Sequence, residues 1–164
     1  MALFGKKTPD PVIFPATLVS PSSGKYVPMS ELKDEAFASG KLGVCCGVIP
    51  EDGKIYAPID GVVTEITDTS HAIVISAGGM DILLHAGIHT VNMRGEGFKT
   101  AVKLDHAVKK GDLLLQMDLW KVRNSGYDDT VIMAVSNSDD FASVEAVAKA
   151  GKIKTGDDIL KVSK

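Results

Sequence analysis

The chain has four histidines, at positions 71, 85, 89 and 106, and their side chains are the ones best suited to chemistry near neutral pH. An imidazole can move a proton, bind a metal ion or carry a phosphoryl group under these conditions. His71 opens one apolar run and His85 follows another, with a Gly-Gly turn between the two runs. Two antiparallel strands joined by a tight turn bring their far ends together. The sequence therefore predicts that His71 and His85 are near neighbours.

The residues that follow His85 strengthen this interpretation. Two leucines give the histidine an apolar approach, and Gly87 lets the backbone pass close to the ring because it has no side chain. The glycines of Gly95-Glu-Gly97-Phe98 predict a tight turn shortly afterwards. His106 has no comparable context, and we expect it in a surface loop or a short helix.

The elements that must position these residues are mostly strands. Short runs rich in Val, Ile, Leu and Thr are punctuated by Gly, Pro, Asp and Ser, and they predict strands at Val12–Val19, Lys54–Tyr56, Gly61–Thr67, Ala72–Ser76, Asp81–His85, Leu113–Leu119 and Val131–Ser136. Helical patterning is sparse. Short helical turns are predicted within Met29–Ala38 and Val102–Val108, and the best single helix candidate is Phe141–Lys149. The predicted fold class is mostly β, a sandwich or partly closed barrel with a few short helices.

Two motifs occur twice in the same order. The first reads P-x-x-G-x-apolar and begins at Pro21 and at Pro58. The second reads apolar-K-x-G-D and begins at Val108 and at Ile153. Each glycine suits a tight turn with positive φ, and each flank reads as a strand. The sequence therefore predicts a duplicated β unit with a pseudo-two-fold relation.

Composition limits the class of protein. The 164 residues suit one domain, and we expect a flexible segment at 1–11 followed by a single domain at 12–164. Hydrophobic residues make up 45% of the chain but aromatic residues only 5%, so the core must rest on aliphatic side chains. The net charge is −3 and there is no dense Lys/Arg cluster, which argues against a nucleic-acid partner.

The sequence also bears on the compartment. The longest apolar run, Leu42–Ile49, is far shorter than the ~20 residues that a spanning helix needs, and the first residues lack the apolar core of a signal peptide. Cys45 and Cys46 are adjacent, which indicates two small apolar residues of a buried strand rather than a disulfide framework. These features predict a cytoplasmic protein, and a start at Met1 favours a free subunit.

The segment around His85 resembles a known family. The motifs Leu-Leu-His85-Ala-Gly-Ile-His89-Thr-Val and Arg-Gly95-Glu-Gly97-Phe98 are similar to the active-site signature of the glucose-type enzyme IIA of the bacterial phosphoenolpyruvate-dependent sugar phosphotransferase system. The resemblance covers roughly residues 15 to 145, and it includes the blocks Ala57-Pro-Ile-Asp-Gly61, Thr69-Ser-His-Ala72, Lys109-Lys-Gly-Asp112, Met117-Asp-Leu119 and Val135-Ser-Asn137. It implies a hybrid-motif β fold of duplicated units.

The resemblance also implies a function, that of a phosphocarrier. His85 would accept a phosphoryl group from the histidine-containing phosphocarrier protein and pass it to a cysteine of enzyme IIB of a sugar transporter. His71 would donate a hydrogen bond to the phosphoryl oxygens, and the Thr69 hydroxyl would orient His71. Residues expected to support the site are Gly87, His89, Thr90 and Val91. The residues expected to dock partners are Asp34, Phe37 and Leu83. Phe37 lies where the family has an exposed phenylalanine, so we expect its side chain to be exposed.

No cofactor is required on this interpretation. Zinc binding by His71 and His85 is expected only where a partner supplies a carboxylate. Contact with a membrane would come only through the transporter, and regulatory protein targets are a further expectation. The chain departs from the family pattern at His89, where the family has aspartate, and at Thr67 and Leu83, where it has phenylalanine. The segment Leu42–Gly47 also replaces a Gly-Asp-Gly turn. A divergent regulatory paralogue, or one for another sugar, is therefore an alternative.

Two other classes of protein share parts of this pattern. Zinc peptidases of the LytM type have duplicated β units and histidine-rich sites, but they need a His-x-His pair, whereas His85 and His89 are four positions apart. Residues i and i+4 of one strand do share a face, so a metal enzyme stays an alternative. Lipoyl and biotin carriers need a lysine at a hairpin tip, and neither tip here, at 51–53 or 77–79, has one.

Overall fold

The computed structural model describes residues 9–164. The strands are β1 Ala16–Val19, β2 Gly24–Pro28, β3 Val44–Pro50, β4 Lys54–Tyr56, β5 Gly61–Ile66, β6 Ala72–Ala77, β7 Met80–Ile88, β8 Phe98–Thr100, β9 Ala107–Val108, β10 Leu113–Met117, β11 Asp128–Val135, β12 Ser143–Ala146, β13 Gly151–Ile153 and β14 Asp158–Ser163. The helices are α1 Glu35–Ala38 and α2 Leu119–Asn124, with 3₁₀ turns at Met29–Glu31, Thr90–Met93 and Ser138–Asp140. Within residues 9–164, no helix has the length and apolar character needed to cross a membrane.

The strands form one large and two small antiparallel sheets. The large sheet has the order β13-β2-β3-β11-β7-β6-β5-β9, and the small sheets have the orders β1-β14-β12 and β4-β10-β8. The main core is aliphatic, and its largest fully buried side chains include Leu18, Ile75 and Leu114. The mostly β fold and the aliphatic core agree with the prediction. The predicted flexible segment at 1–11 falls largely on residues 1–8, which lie outside the described part of the chain.

The hairpin of β6 and β7 has the register that its sequence predicts. Ala72 pairs with His85 at one end, and Ala77 pairs with Met80 at the other. Gly78 and Gly79 make the two-residue turn with φ of 56° and 83°. Positive φ at both central residues is the requirement of the tight hairpin turn that matches the twist of the strands, and glycine meets it without strain. The turn therefore fixes which residue lies opposite His85.

The duplication is visible in matching backbone contacts. Ala57 exchanges two hydrogen bonds with the turn at 109–112, since its N–H donates to a carbonyl at 2.8 Å and its own carbonyl accepts at 2.9 Å. Ser20 makes the same exchange with the turn at 154–157, at 2.7 and 3.1 Å. The two repeated motifs thus occupy equivalent places in two β units.

The predicted helix at Phe141–Lys149 is wrong. This segment contains strand β12, which pairs with β14, and Val144 lies opposite Val162 against the main core. Strand β14 is already paired with β1 on its other side, so β12 completes the hydrogen bonding of its free edge. The helical turn predicted within Val102–Val108 is also absent, because this segment ends in β9, which pairs with β5.

Two other predictions need new boundaries. The strand predicted at Leu113–Leu119 ends at Met117, because Asp118 caps helix α2 through an Oδ1 that accepts the N–H of Lys121 at 3.0 Å. The strand predicted from Val12 begins at Ala16. The helical turns predicted within Met29–Ala38 are confirmed as a 3₁₀ turn and helix α1.

The adjacent cysteines lie in β3 and are buried, as predicted. Both are free thiols, and burial raises the pKa of Cys45 to about 11. Burial also raises the pKa of Cys46, with a smaller contribution from Cys45. A thiol with a raised pKa holds little thiolate at neutral pH, so these residues act as small apolar side chains of the sheet.

Candidate active site

The rings of His71 and His85 meet at the open end of the β6–β7 hairpin. Their centroids are 4.9 Å apart and their planes are inclined by 84°. Strand alternation alone would place His71 on the opposite face, since Ala72 is the residue paired with His85. His71 lies one residue before β6, however, and Ser70 adopts a left-handed φ of 59°. The pleat therefore does not set the direction of the His71 side chain.

The ring of His85 has one nitrogen held and one free. Its Nδ1 lies 2.7 Å from the carbonyl oxygen of Gly87. A carbonyl oxygen can only accept, so Nδ1 carries the hydrogen and Nε2 keeps its lone pair. Burial lowers the pKa of His85 below its ordinary value, and the hydrogen bond to Gly87 and the charge of Asp34 oppose this effect. The arrangement gives a neutral imidazole with a nucleophilic Nε2.

The ring of His71 is buried and faces two hydroxyls. Its Nδ1 lies 2.5 Å from the Thr69 Oγ1 and 3.3 Å from the Thr67 Oγ1. Burial, and then the neighbouring His85, lower the pKa of His71 from 6.5 to about 4. Because a hydroxyl can donate to Nδ1, Nε2 is able to carry the single hydrogen of the neutral ring. His71 can thus act as a neutral hydrogen-bond donor beside His85.

Gly87 and Thr90 hold the end of β7 in place. Gly87 has a φ of 78°, and a Cβ there would lie 2.4 Å from the Thr90 Cγ2 and 3.0 Å from the Asp128 carbonyl oxygen. The buried Thr90 hydroxyl donates to the carbonyl of Ala86 at 2.5 Å. Both contacts fix the backbone whose carbonyl accepts the hydrogen bond of His85. The predicted supporting residues Gly87 and Thr90 therefore lie beside the histidine pair.

His89 lies beyond the end of the strand that carries His85. Strand β7 ends at Ile88, and His89 adopts a left-handed φ of 61° at the start of a 3₁₀ turn. Its side chain is exposed, and its Nε2 lies 3.9 Å from the Asp34 Oδ2. The strand does not continue from His85 to His89, so the i, i+4 geometry considered for a metal enzyme does not arise. Val91 follows in the same turn and is half exposed.

Helix α1 brings Asp34 and Phe37 to the site. The Asp34 Oδ1 accepts the N–H groups of Ala36 and Phe37 at 2.8 and 3.4 Å, which caps the helix. The Phe37 ring then meets the His85 ring edge-on at 5.3 Å. The expectation of an exposed Phe37 is wrong, since this side chain is only 5% exposed and packs in a second core cluster, with Leu83 against it. Asp34, Phe37 and Leu83 are thus mostly covered.

Two residues near the pair were not assigned a role from the sequence. The Phe98 ring lies 6.5 Å from the His71 ring, edge-on to it. The sequence marks Phe98 through the Gly-Glu-Gly-Phe motif, which predicts a turn and resembles the family signature but assigns this ring no role. Thr67 directly follows β5 and contacts His71, whereas the sequence marks it only as the end of a predicted strand and as a departure from the family's phenylalanine.

At this site the residues paired as possible metal ligands are the two histidines, His71 and His85. Across residues 9–164, no group of three or more His, Cys, Asp or Glu side chains is placed to hold a metal ion. The expectation that His71 and His85 bind zinc together with a partner's carboxylate stays a prediction.

Comparison with known proteins decides the family. The family model described as "phosphoenolpyruvate-dependent sugar phosphotransferase system, EIIA 1" matches residues 16–141. The chain belongs to this family. Membership confirms the resemblance inferred from the motifs around His85, and it confirms that the chain is a phosphotransferase component. Membership of this family also argues against the alternative of a LytM-type zinc peptidase.

Relatives of two sizes support the assignment. The chain is 40% identical over 138 residues to the PTS system beta-glucoside-specific EIIBCA component of Dickeya chrysanthemi. The aligned residues make up 84% of this chain but only 22% of that longer protein. It is 32% identical over 148 residues to the PTS system glucose-specific EIIA component of Bacillus cereus, with 90% of each covered. The solved glucose permease IIA from Mycoplasma capricolum matches with a TM-score of 0.78 and 29% identity, over 88% of this EIIA chain and 94% of that one.

Proposed function

We propose that His85 is the phosphorylated residue of this EIIA chain. The observation that carries the proposal is the hydrogen bond from Nδ1 to the Gly87 carbonyl, which leaves Nε2 with a lone pair. Nε2 attacks the phosphorus of a phosphohistidine on the donor, and the electron pair of the donor's P–N bond returns to the donor's ring. The new P–N bond on His85 keeps a high transfer potential, so a thiolate can take the phosphoryl group in the next step.

The role proposed for His71 is to hold the transferred group. Phosphoryl transfer spreads charge over three equatorial oxygens, and catalysis consists mainly of positioning and charge stabilisation. The rings are 4.9 Å apart and nearly perpendicular, so a hydrogen on Nε2 of His71 is available to an oxygen of a group on His85. The Thr69 hydroxyl at 2.5 Å from Nδ1 supports that tautomer. His71 acts as a neutral donor because its pKa lies near 4.

The proposed partners follow from the family. The donor is the histidine-containing phosphocarrier protein, and the acceptor is a cysteine of enzyme IIB of a sugar transporter, both met in the cytoplasm. The names of the relatives point to glucose or beta-glucoside transporters. Docking falls to the rim of the site, where His89 and Val91 are exposed. Asp34, Phe37 and Leu83 shape that rim from below, since they are mostly covered. Regulatory targets would meet the same surface.

Reconstitution of the relay tests the proposal. Incubation with labelled phosphoenolpyruvate, enzyme I and the phosphocarrier protein should add one acid-labile phosphoryl group, measured by intact mass. We expect His85→Ala to abolish the label. His106→Gln is the matched control, because it also removes an imidazole but lies in the turn before β9, and it should be labelled as fully as the wild type. A labelled His85→Ala variant would overturn the assignment.

A further inference from the structure

Thr67 ties together the two ends of the loop that carries His71. The residue directly follows β5, and its backbone N–H donates to the carbonyl of Ala72 at 3.1 Å. Its Oγ1 accepts the N–H of Ala72 at 3.1 Å and lies 3.3 Å from the carbonyl oxygen of the same residue. Ala72 is the residue paired with His85 across the hairpin. Thr67 therefore connects the His71 loop to the strand position that faces His85.

The same hydroxyl faces the ring of His71. The Thr67 Oγ1 lies 3.3 Å from Nδ1, on which the Thr69 Oγ1 also converges at 2.5 Å. The Thr67 oxygen already accepts a hydrogen bond from Ala72, which engages one of its two lone pairs and leaves its proton available to an acceptor. A carbonyl oxygen can accept two hydrogen bonds, so the Thr67 hydroxyl has two acceptors in reach, the Ala72 carbonyl and Nδ1 of His71, each at 3.3 Å. The Ala72 carbonyl already receives the Thr67 backbone N–H at 3.1 Å, so a donation from the hydroxyl to Nδ1 leaves that carbonyl with a partner.

A proton donated to Nδ1 has a consequence for the other nitrogen. A neutral imidazole carries one hydrogen, so an Nδ1 that accepts requires the hydrogen to be on Nε2. The hydrogen bond made by one ring nitrogen thus determines whether the other nitrogen carries the hydrogen. Two hydroxyls in reach of Nδ1 both favour this tautomer, so the loss of one weakens the preference and the loss of both removes it.

We propose that Thr67 is a second positioning residue for His71, one that works with Thr69 to keep the hydrogen of His71 on Nε2 and to hold its ring beside His85. The proposal rests on the proposed function, in which that hydrogen meets the phosphoryl group. It goes beyond that function in adding a residue that never touches the group. Thr67 directly follows β5, and among the described residues the hydrogen-bond partners of its hydroxyl are His71 and Ala72.

A double-mutant cycle tests the proposal. Thr67→Val and Thr69→Val, alone and together, are compared in the rate of transfer from phosphorylated EIIA to enzyme IIB. One hydrogen bond of ordinary strength corresponds to about a fivefold change in rate. We expect about a fivefold loss for Thr67→Val, and a loss in the double variant that exceeds the product of the single losses, because in each single variant the remaining hydroxyl still favours the same tautomer.

Two further variants separate positioning from structure. Thr67→Ser keeps the hydroxyl and should restore transfer to within about twofold of the wild type. Thr64→Val is the matched control, because Thr64 lies on β5 three residues earlier and its Oγ1 donates to the Val74 carbonyl at 3.4 Å without facing an imidazole. It should transfer as the wild type does. Equal rates for Thr67→Val and Thr64→Val would overturn the proposal.

The tautomer of His71 is a direct readout that needs no transfer assay. Nitrogen-15 chemical shifts of the wild-type ring should show the hydrogen on Nε2, and Thr67→Val should raise the fraction with the hydrogen on Nδ1. A wild-type ring with its hydrogen on Nδ1 would overturn the proposal even if the valine variant failed to fold. Failure of the proposed function is recognised separately, as labelling of His85→Ala, whereas His85 labels normally if only the role of Thr67 is wrong.

Discussion

At the scale of single residues, the chemistry of the site depends on keeping two imidazoles neutral. The folded protein lowers the pKa of His71 to about 4, whereas the unfolded chain titrates at the ordinary 6.5. The unfolded chain therefore binds a proton at a pH where the folded protein does not, and the free energy of unfolding falls as the pH drops from about 6.5 to about 4. Above pH 6.5 this contribution is fully present.

The variant His71→Gln should remove that contribution. We expect the free energy of unfolding to fall less steeply in the variant than in the wild type between pH 6.5 and 4.5, while the two curves run parallel above pH 7. Urea denaturation at a series of pH values measures this. His106→Gln, which keeps both imidazoles of the site, should follow the slope of the wild type. Parallel curves for His71→Gln and the wild type below pH 6.5 would contradict a lowered pKa.

The residues of the site differ in how well their sequence context marks them. His71, His85 and Gly87 lie in or beside one hairpin, so the pairing of its strands about a glycine turn predicts that the two histidines are neighbours, whereas the direction of the His71 ring depends on the left-handed Ser70. Phe37 comes from a distant helix, and its burial depends on the packing of α1 against the sheet. Thr67 depends on a loop whose ends meet through side-chain hydrogen bonds. Such contacts leave no periodicity in the sequence.

At the scale of elements, the end of β7 determines the direction of the His85 ring. The Gly87 carbonyl accepts the Nδ1 hydrogen only because the backbone turns there with a φ of 78°. Gly87→Ala would place a Cβ 2.4 Å from the Thr90 Cγ2. We expect the free energy of unfolding to fall by about 2 kcal/mol from strain and overpacking, and the rate at which the variant accepts phosphoryl groups to fall with it.

The matched control for that variant is Gly126→Ala. Gly126 also has a positive φ, of 87°, but a Cβ there would meet nothing within 4 Å. The left-handed backbone alone costs an L-residue about 1 kcal/mol, so this variant should be less destabilised and should accept phosphoryl groups normally. Chemical denaturation and the reconstituted relay measure the two effects. Equal phosphorylation rates for both variants would show that the position of the Gly87 carbonyl does not matter.

Prediction of the elements succeeded where neighbouring residues determine the structure. The β6–β7 hairpin follows from two apolar runs around a pair of glycines, and helix α1 falls within the short segment where the sequence predicts helical turns. Strand β12 was misassigned because its alternation is weak and its partner β14 lies far away in the sequence. A segment with weak preferences for both helix and strand becomes a strand when it can pair with the free edge of a sheet. Helix α2 was hidden because its cap, Asp118, continues directly from an apolar strand.

At the scale of the whole molecule, the duplicated motifs explain how two β units interlock. The third residue of each P-x-x-G motif holds the opposite turn through its side chain. The Asp60 Oδ1 accepts the N–H of Lys110 at 2.8 Å, and the Ser23 Oγ accepts the N–H of Thr155 at 2.9 Å. The repeats could be predicted from sequence because these turns are local. The central place of β11 between β3 and β7 could not, because that pairing joins distant segments without a motif.

The aspartate that ends each K-x-G-D turn closes it in the same way. The Asp112 Oδ2 accepts the N–H of Lys109 at 2.8 Å, and the Asp157 Oδ2 accepts the N–H of Lys154 at 2.8 Å. If the two units are equivalent in energy as well as in geometry, Asp112→Ala and Asp157→Ala should each lower the free energy of unfolding by about 1 kcal/mol, the typical net value of one such hydrogen bond. Chemical denaturation measures both losses.

Neither aspartate contacts the histidine pair, so both variants should accept phosphoryl groups at the wild-type rate in the reconstituted relay. Asp112→Asn and Asp157→Asn are the controls that keep an oxygen in place, and they should recover most of the lost stability. Losses that differ between the two alanine variants by more than about 1 kcal/mol would mean that the repeats share a shape but not a common energetic role. Similar losses would indicate that each unit depends to the same extent on its own turn.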